Sequence, residues 1–361
     1  MSVIERIWAG SGGWGAVRLA LSPLSVVFGA VVAARNRRFD CGEGVRVAAC
    51  PALSIGNLTV GGTGKTPVAA WYARALRDAG ASPAIVLRGY GDDEWRVHQL
   101  LSPDVPVIRD ADRVRGMATA VSLGADCVVL DDAFQHRRAA RVSDVVLLAA
   151  DTWSPEVRLL PAGPYREPWR ALRRASLIVI TAKTASIDRI ASLRAAIRAE
   201  VGDAVPVAEL GLQAGALHRV DPAAVGTDGG AHDASPVTEP LVTVRDRAVL
   251  AVSAIGDPAA FERALAQAGA HVTSRRFRDH RTFTADEARA LARSVPAGGR
   301  AVCTLKDAVK LGPLWPHASQ PLWYLSQTIV VRDGADALAG AVHRVLAARE
   351  PTSRSSRPPA G

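Results

Sequence analysis

The segment GNLTVGGTGKTP, Gly56 to Pro67, constrains this chain more than any other. It lies between a short apolar run at 52–55 and an amphipathic stretch at 67–79 that stops at Gly80. A strand, a glycine-rich turn and a helix in that order make a phosphate-binding loop. Gly61, Gly62 and Gly64 carry no Cβ, so the backbone N–H groups around Thr63 can turn toward an anion. The first turn of the helix adds its partial positive charge. Lys65 can reach β- and γ-phosphates, and the Thr66 hydroxyl can sit on magnesium. The strict spacing GxxxxGK[ST] is not met, because its first glycine falls on Thr59. The segment still predicts binding of a nucleoside triphosphate, against the alternative of a glycine-rich turn with a solvated lysine.

The surroundings predict an α/β chain. Short, continuous apolar runs at 84–87, 105–108, 127–130, 145–149 and 177–181 alternate with longer amphipathic segments such as 114–122. Continuous rather than alternating apolar strands indicate a parallel sheet covered on both faces. Residues 211–240 are rich in Gly, Asp and Pro and read as a linker. A second, smaller α/β unit follows at 241–348, with strands at 249–255, 271–274, 301–304 and 322–325 and a helix at 258–268. The expected organisation is therefore an amino-terminal segment 1–50, a core at 51–210, the linker, the second unit and a disordered tail at 349–361.

Several polar constellations fall at predicted strand ends, where ligands of such sheets bind. VVLDDAFQH ends a buried strand in Asp131 and Asp132, which could hold a metal ion; alone, such a pair is a weak signal. His136 suits a ligand contact or a structural hydrogen bond equally. RGYGDDE sets Asp92, Asp93 and Glu94 behind a glycine-framed turn, as a candidate general base or as solvated charge. Arg113 follows the next strand and could grip phosphates. RLLPAGPYREP is a stiff, proline-rich loop that presents Arg166 and Glu167. FRDH, with Asp279 and His280, and TLKDAVK, with Lys306 and Lys310 on one helix face, follow strands of the second unit.

From Leu19 to Ala34 there are sixteen uncharged residues, preceded by Arg18 and followed by Arg35, Arg37 and Arg38. The run is short for a membrane span, and arginines stand where a signal peptide would be cut. Pro23 suits the first turn of a helix starting near Ser22. The expectation is a helix lying in or dipping into a membrane leaflet, with arginines reaching anionic lipid. The formal charge of +9 also favours an anionic partner. Forty of the 44 basic residues are arginine, which makes Lys65, Lys183, Lys306 and Lys310 worth inspecting. With 48% hydrophobic and 22% charged residues, the chain is neither disordered nor fibrous. Its four cysteines have no CxxC spacing, which argues against a zinc site or a disulfide framework. Nucleic acid is not expected as a partner, since aromatic content is only 5% and no basic–aromatic interleaving occurs.

Taken together, PALSIGNLTVGGTGKTP, LRGYG, DRVRG, VVLDDAFQHRR, LLPAGPYREP, FRDH and TLKDAVK resemble the tetraacyldisaccharide 4'-kinase (lipid A 4'-kinase) family, in that family's order, from about residue 23 to about 329. The resemblance implies a P-loop kinase with an amino-terminal membrane-associating helix. Such a kinase uses ATP and Mg2+ to phosphorylate the 4'-hydroxyl of an acylated disaccharide 1-phosphate at the cytoplasmic face of the inner membrane. It implies a peripheral or monotopic enzyme, expected to be a monomer.

Carried over residue by residue, Gly61, Gly62, Thr63, Gly64, Lys65 and Thr66 would bind the nucleotide. Asp93 and His280 would form a catalytic dyad, with Lys65 also catalytic. Arg113, Arg166 and Glu167 would bind substrate, and Thr66, Asp131 and Asp132 the metal. The family's insert between RGYG and GDEP is nearly absent here, which leaves Asp92 and Asp93 as alternatives for the base. The family's SRGYG serine is Leu87, and TEKD has become TLKD. The alternatives are another membrane-associated P-loop phosphotransferase and a nonenzymatic nucleotide switch. A GTPase would carry NKxD, and none is seen.

Overall fold

The computed structural model describes residues 3–89, 93–221, 237–279 and 281–349. Their strands form one continuous twelve-stranded sheet. The central strand β1 (Ala52–Asn57) lies between β4 (Cys127–Asp131) and β5 (Ser143–Ala149), both parallel to it. β2 (Pro83–Leu87) and β3 (Val107–Arg109) extend the sheet beyond β4, and β6 (Leu177–Ala182) and β7 (Val207–Arg219) extend it beyond β5. Every residue of β1, β2, β4 and β6 is buried, as a parallel sheet covered on both faces requires.

The second half repeats this plan with β9 (Ala248–Ser253), β10 (His271–Arg276), β11 (Arg300–Thr304) and the start of β12 (Leu322–Asp333). On its other edge β12 pairs antiparallel with β7 from Trp323 to Asp333, which welds the two halves into one sheet.

Three expectations change. The proposed linker at 211–240 opens as strand. β7 runs through Arg219, and β8 (Thr238–Glu239) pairs back on it; residues 222–236 lie outside the described set. Gly211 and Gly215 suggested a loop, but they sit where Arg332, Ser326 and Thr328 press on the backbone, so small residues fit a crowded ribbon. The carboxyl-terminal helix Ala335–Ala347 does not stay with the second unit. Leu338, Val342 and Val345 join the core around Leu53, Val145 and Leu177, because β12 carries the chain back to the first half.

The amino-terminal helix, finally, does not begin near Ser22. It spans Trp14–Asp40 with Pro23 inside. Proline removes one backbone donor there without ending the helix.

That long helix, α2 after the short α1 (Val3–Ala9), is docked along one stripe. Ser25, Gly29 and Asn36 follow helical spacing and face the loop 158–168, and Val32 on the same stripe is buried. The Ser25 hydroxyl donates to the Leu159 carbonyl at 2.9 Å, and a Cβ on Gly29 would meet Leu159 at 2.8 Å. The opposite face is bare: Leu19 is 73% exposed, Val26 73% and Val31 63%. An ordinary core helix would bury such side chains for roughly 1.5–3 kcal/mol each. By length and composition the helix could cross a membrane.

Candidate active site

The glycine loop lies at the carboxyl edge of the sheet. β1 ends at Asn57, and helix α3 (Lys65–Asp78) starts at once after Gly64. Gly64 has φ +86° and Gly61 φ +117°, conformations that side chains rarely adopt. A Cβ on Gly61 or Gly62 would meet nothing within 4 Å, so that part of the loop faces open space. Thr63 is buried. Its hydroxyl accepts from Asn57 Nδ2 at 2.9 Å, and its carbonyl accepts from Thr181 at 3.0 Å. Thr63 thus pins the loop to the sheet, while the glycines form the cradle.

Register places the acidic pair beside this loop. Asp131 pairs with Ile55 of β1, two residues before Asn57. Asp132 has φ +48°, a strained position for a residue with a side chain. Its carboxylate is held by both Arg166 terminal nitrogens, at 2.8 and 3.1 Å, and faces Lys65 Nζ at 3.9 Å. Arg166 also donates to Asn57 Oδ1. Burial pushes the Asp132 carboxyl up, but Arg166 and Lys65 outweigh it and hold it below the usual carboxylate range. Burial pulls the Lys65 ammonium below its ordinary value, opposed by Asp132.

Asp131 is held from the other side by a residue the sequence reading missed. His98, fully buried in helix α4 (Glu94–Leu101), has Nε2 2.8 Å from Asp131 Oδ2. Asp131 Oδ1 is buried and has no hydrogen-bond partner among the described residues. An orphaned carboxylate oxygen and a second carboxylate at one strand end, with the Thr66 hydroxyl in the first turn of α3, are hard oxygen donors of the kind magnesium takes. The residues present therefore fit the ion.

Asp93 precedes α4 and is buried. Its carboxylate lies 3.0 Å from Lys310 Nζ. Lys310 comes from helix α9 (Leu305–Leu311) of the second half, which lies after α5 (Arg113–Ser122), α6 (Ile187–Val201), α7 (Pro258–Gln267) and α8 (Ala285–Arg293) in chain order. Burial pushes the Asp93 carboxyl up, but the Lys310 hydrogen bond and charge prevail and leave it below its ordinary value. Glu94 is pushed up by burial and then by Asp131. Asp92 and His280 lie outside the described residues.

Arg113 reaches the same edge but is buried. It donates to the carbonyls of Asp110 at 2.9 Å and Asp131 at 3.3 Å, and so braces the backbone under the acidic pair. Glu167 departs from the expectation of a substrate contact. Its carboxylate is completely buried and taken up by Arg35, Asn36 and Arg174 at 2.8–3.2 Å. Arg166 enters the site while Glu167, the next residue in the bend, anchors α2. His136 is held neutral, pulled down to about 4 by burial and by Arg113 and Arg141, and its Nε2 finds no partner among the described residues.

The family model for tetraacyldisaccharide-1-P 4'-kinase matches residues 17–347. The chain belongs to the tetraacyldisaccharide-1-P 4'-kinase family. A tetraacyldisaccharide 4'-kinase of Anaeromyxobacter sp. (strain Fw109-5) is 37% identical, over 99% of this chain and 100% of the relative. One from Anaeromyxobacter dehalogenans (strain 2CP-C) is 39% identical over 94% and 93%. Among solved structures, the "apo" form LpxK from Aquifex aeolicus in complex with ATP superposes with a TM-score of 0.70. It shares 24% identity, covers 91% of this chain and 99% of its own, and supports the fold.

Proposed function

We propose that this chain transfers the γ-phosphoryl group of ATP to the 4'-hydroxyl of an acylated disaccharide 1-phosphate at a membrane surface. The kinase class, the lipid A precursor and the ATP donor follow from family membership. The observation that carries the assignment of roles is the convergence of Lys65, Asp132 and Arg166 beside the open glycine cradle, with Asp131 joined by His98 to the helix that Asp93 precedes.

Gly61, Gly62 and Gly64 free the loop amides to face the triphosphate. Lys65 leaves Asp132 for the β- and γ-phosphates, and Arg166 steadies Asp132. Thr66, Asp131 and Asp132 would hold magnesium, which neutralises charge developing on the phosphates. Asp93, ionised at neutral pH, orients the sugar hydroxyl and accepts its proton as the new O–P bond forms and the bond to the leaving ADP oxygen breaks. His280 would assist Asp93. Loss of one such charged anchor removes roughly 2.7–4 kcal/mol of transition-state stabilisation, if an oxyanion-hole donor is a fair guide.

The bare face of α2 supports membrane contact, peripheral or monotopic; the cytoplasmic side of the inner membrane and a monomeric state belong to the proposal and come from the family resemblance. An acylated acceptor stays in a bilayer at about 0.8 kcal/mol per buried CH₂, so the enzyme must come to it. The test uses wild type, D93N and D92N with ATP, magnesium and the disaccharide 1-phosphate in detergent micelles, product being read by mass. Wild type and D92N should form the bisphosphate and D93N should not. A fully active D93N would remove Asp93 from this role.

A further inference from the structure

Beneath the last turns of α2 lies a cavity of about 260 Å³, outside the nucleotide site. Arg37, Arg137, Arg170 and Arg174 line it, with Asn36 and a single acid, Asp40. Its walls are prebuilt. Arg174 is locked on Glu167 and stacks 3.8 Å over Phe134, and Arg137 pairs with Asp40 at 2.7 Å. Arg37 and Arg170 have no ion-pair partner among the described residues and are exposed at the mouth. Two unmatched guanidiniums in a cavity with net positive lining form a fork suited to phosphate oxygens.

Position narrows the source. Arg37 lies six residues past Val31, the last strongly exposed apolar side chain of α2, or about 9 Å along the helix axis. If the apolar face enters a bilayer, the cavity sits at headgroup level. It also adjoins the candidate active site, because Glu167 behind its wall follows Arg166 directly. We infer that this cavity is a second anion site, which takes a phosphate carried at the membrane surface. The inference rests on the reading of the chain as an enzyme of membrane-borne glycolipids. Two carriers share that chemistry: the acceptor's own 1-phosphate and an anionic phospholipid headgroup.

R37A/R170A is compared with wild type and with R263A/R293A, which removes the same charge from exposed sites in the second half. One arm measures kcat/KM in phosphatidylcholine micelles for the disaccharide with and without its 1-phosphate. The other measures binding to phosphatidylcholine vesicles with and without phosphatidylglycerol, no acceptor being present. Affinity for an ATP analogue and the thermal midpoint should match wild type in both variants. A loss of roughly tenfold or more in preference for the 1-phosphorylated acceptor, confined to R37A/R170A, supports the site with substrate as carrier. The same loss confined to phosphatidylglycerol-dependent binding supports it with the phospholipid as carrier. R37A/R170A behaving like R263A/R293A in both arms overturns it. Should wild type phosphorylate neither acceptor, the kinase reading fails, and the vesicle arm alone decides the cavity.

Discussion

Lys310 sets its ammonium 3.0 Å from the Asp93 carboxylate, joining a helix of the second half to the candidate base of the first. Lys306 adds its charge from the same helix, Glu94 stands beside Asp93, Lys65 faces Glu94 from α3, and Arg109 of β3 stacks on Trp95. Because Lys310 holds Asp93 below its ordinary pKa, the carboxylate is ionised through the neutral range and loses that form only as pH falls through the lowered value. K310M leaves burial less opposed, so the pKa rises. The acidic limb of the kcat/KM profile should then move to higher pH, with activity falling more near pH 5 than near pH 8. K310R should restore most of the profile. A limb that stays in place while activity drops uniformly would contradict this role.

If Asp131 holds magnesium as proposed, His98 bears on that site. It fixes one oxygen of Asp131, and the other has no hydrogen-bond partner among the described residues. Partners that orient a metal ligand typically govern 10–100-fold of metal affinity. In H98L, half-saturation by magnesium, read from binding of a fluorescent ATP analogue, should need roughly tenfold more metal. H98Q, whose amide nitrogen can stand near the position of Nε2, should lie closer to wild type. Equal magnesium requirements in all three proteins would make His98 a packing residue only.

Glu167 fastens the amino-terminal helix. Its carboxylate is fully buried among Arg35, Asn36 and Arg174. Breaking one partner of a buried ion pair typically destabilises by about 3–5 kcal/mol. Part of that is expected here, because Arg35 is partly exposed and E167Q keeps one acceptor. Thermal unfolding in detergent should show a lower midpoint for E167Q, with affinity for the ATP analogue unchanged. A normal midpoint with weakened acceptor binding would return Glu167 to the substrate.

The bare face of α2 can be tested without substrate. L19S/V26S/V31S removes three side chains that are each more than 60% exposed. At roughly 1.5 kcal/mol or more per lipid-buried side chain, partition onto vesicles should weaken at least tenfold, while unfolding in detergent stays close to wild type. Undiminished partition would place another surface against the membrane.

The loop at 61–66 was legible in the sequence because its chemistry is local: a strand, glycines at positive φ and a lysine at a helix start are neighbours in the chain. The same holds for Asp131 and Asp132 at the end of an apolar strand. Lys310 meeting Asp93 and His98 meeting Asp131 depend on folding across many residues, and WRVHQLL carries no sign that its histidine turns inward. Glu167 misled because adjacency to Arg166 suggests a shared role, whereas the folded chain gives the two side chains separate partners, Asp132 for Arg166 and Arg35 with Arg174 for Glu167. The glycines of 211–215 read as loop, yet they accommodate side chains of the strand that pairs with them.

The most direct measurement is transfer of labelled γ-phosphate from ATP into the glycolipid by wild type and by K65A, each checked for native folding. Wild type should add one phosphate at the 4' position, and K65A should be slower by about two orders of magnitude or more. Transfer by K65A at the wild-type rate, or label appearing only as free phosphate with wild type, would contradict the assignment of this edge of the sheet to phosphoryl transfer.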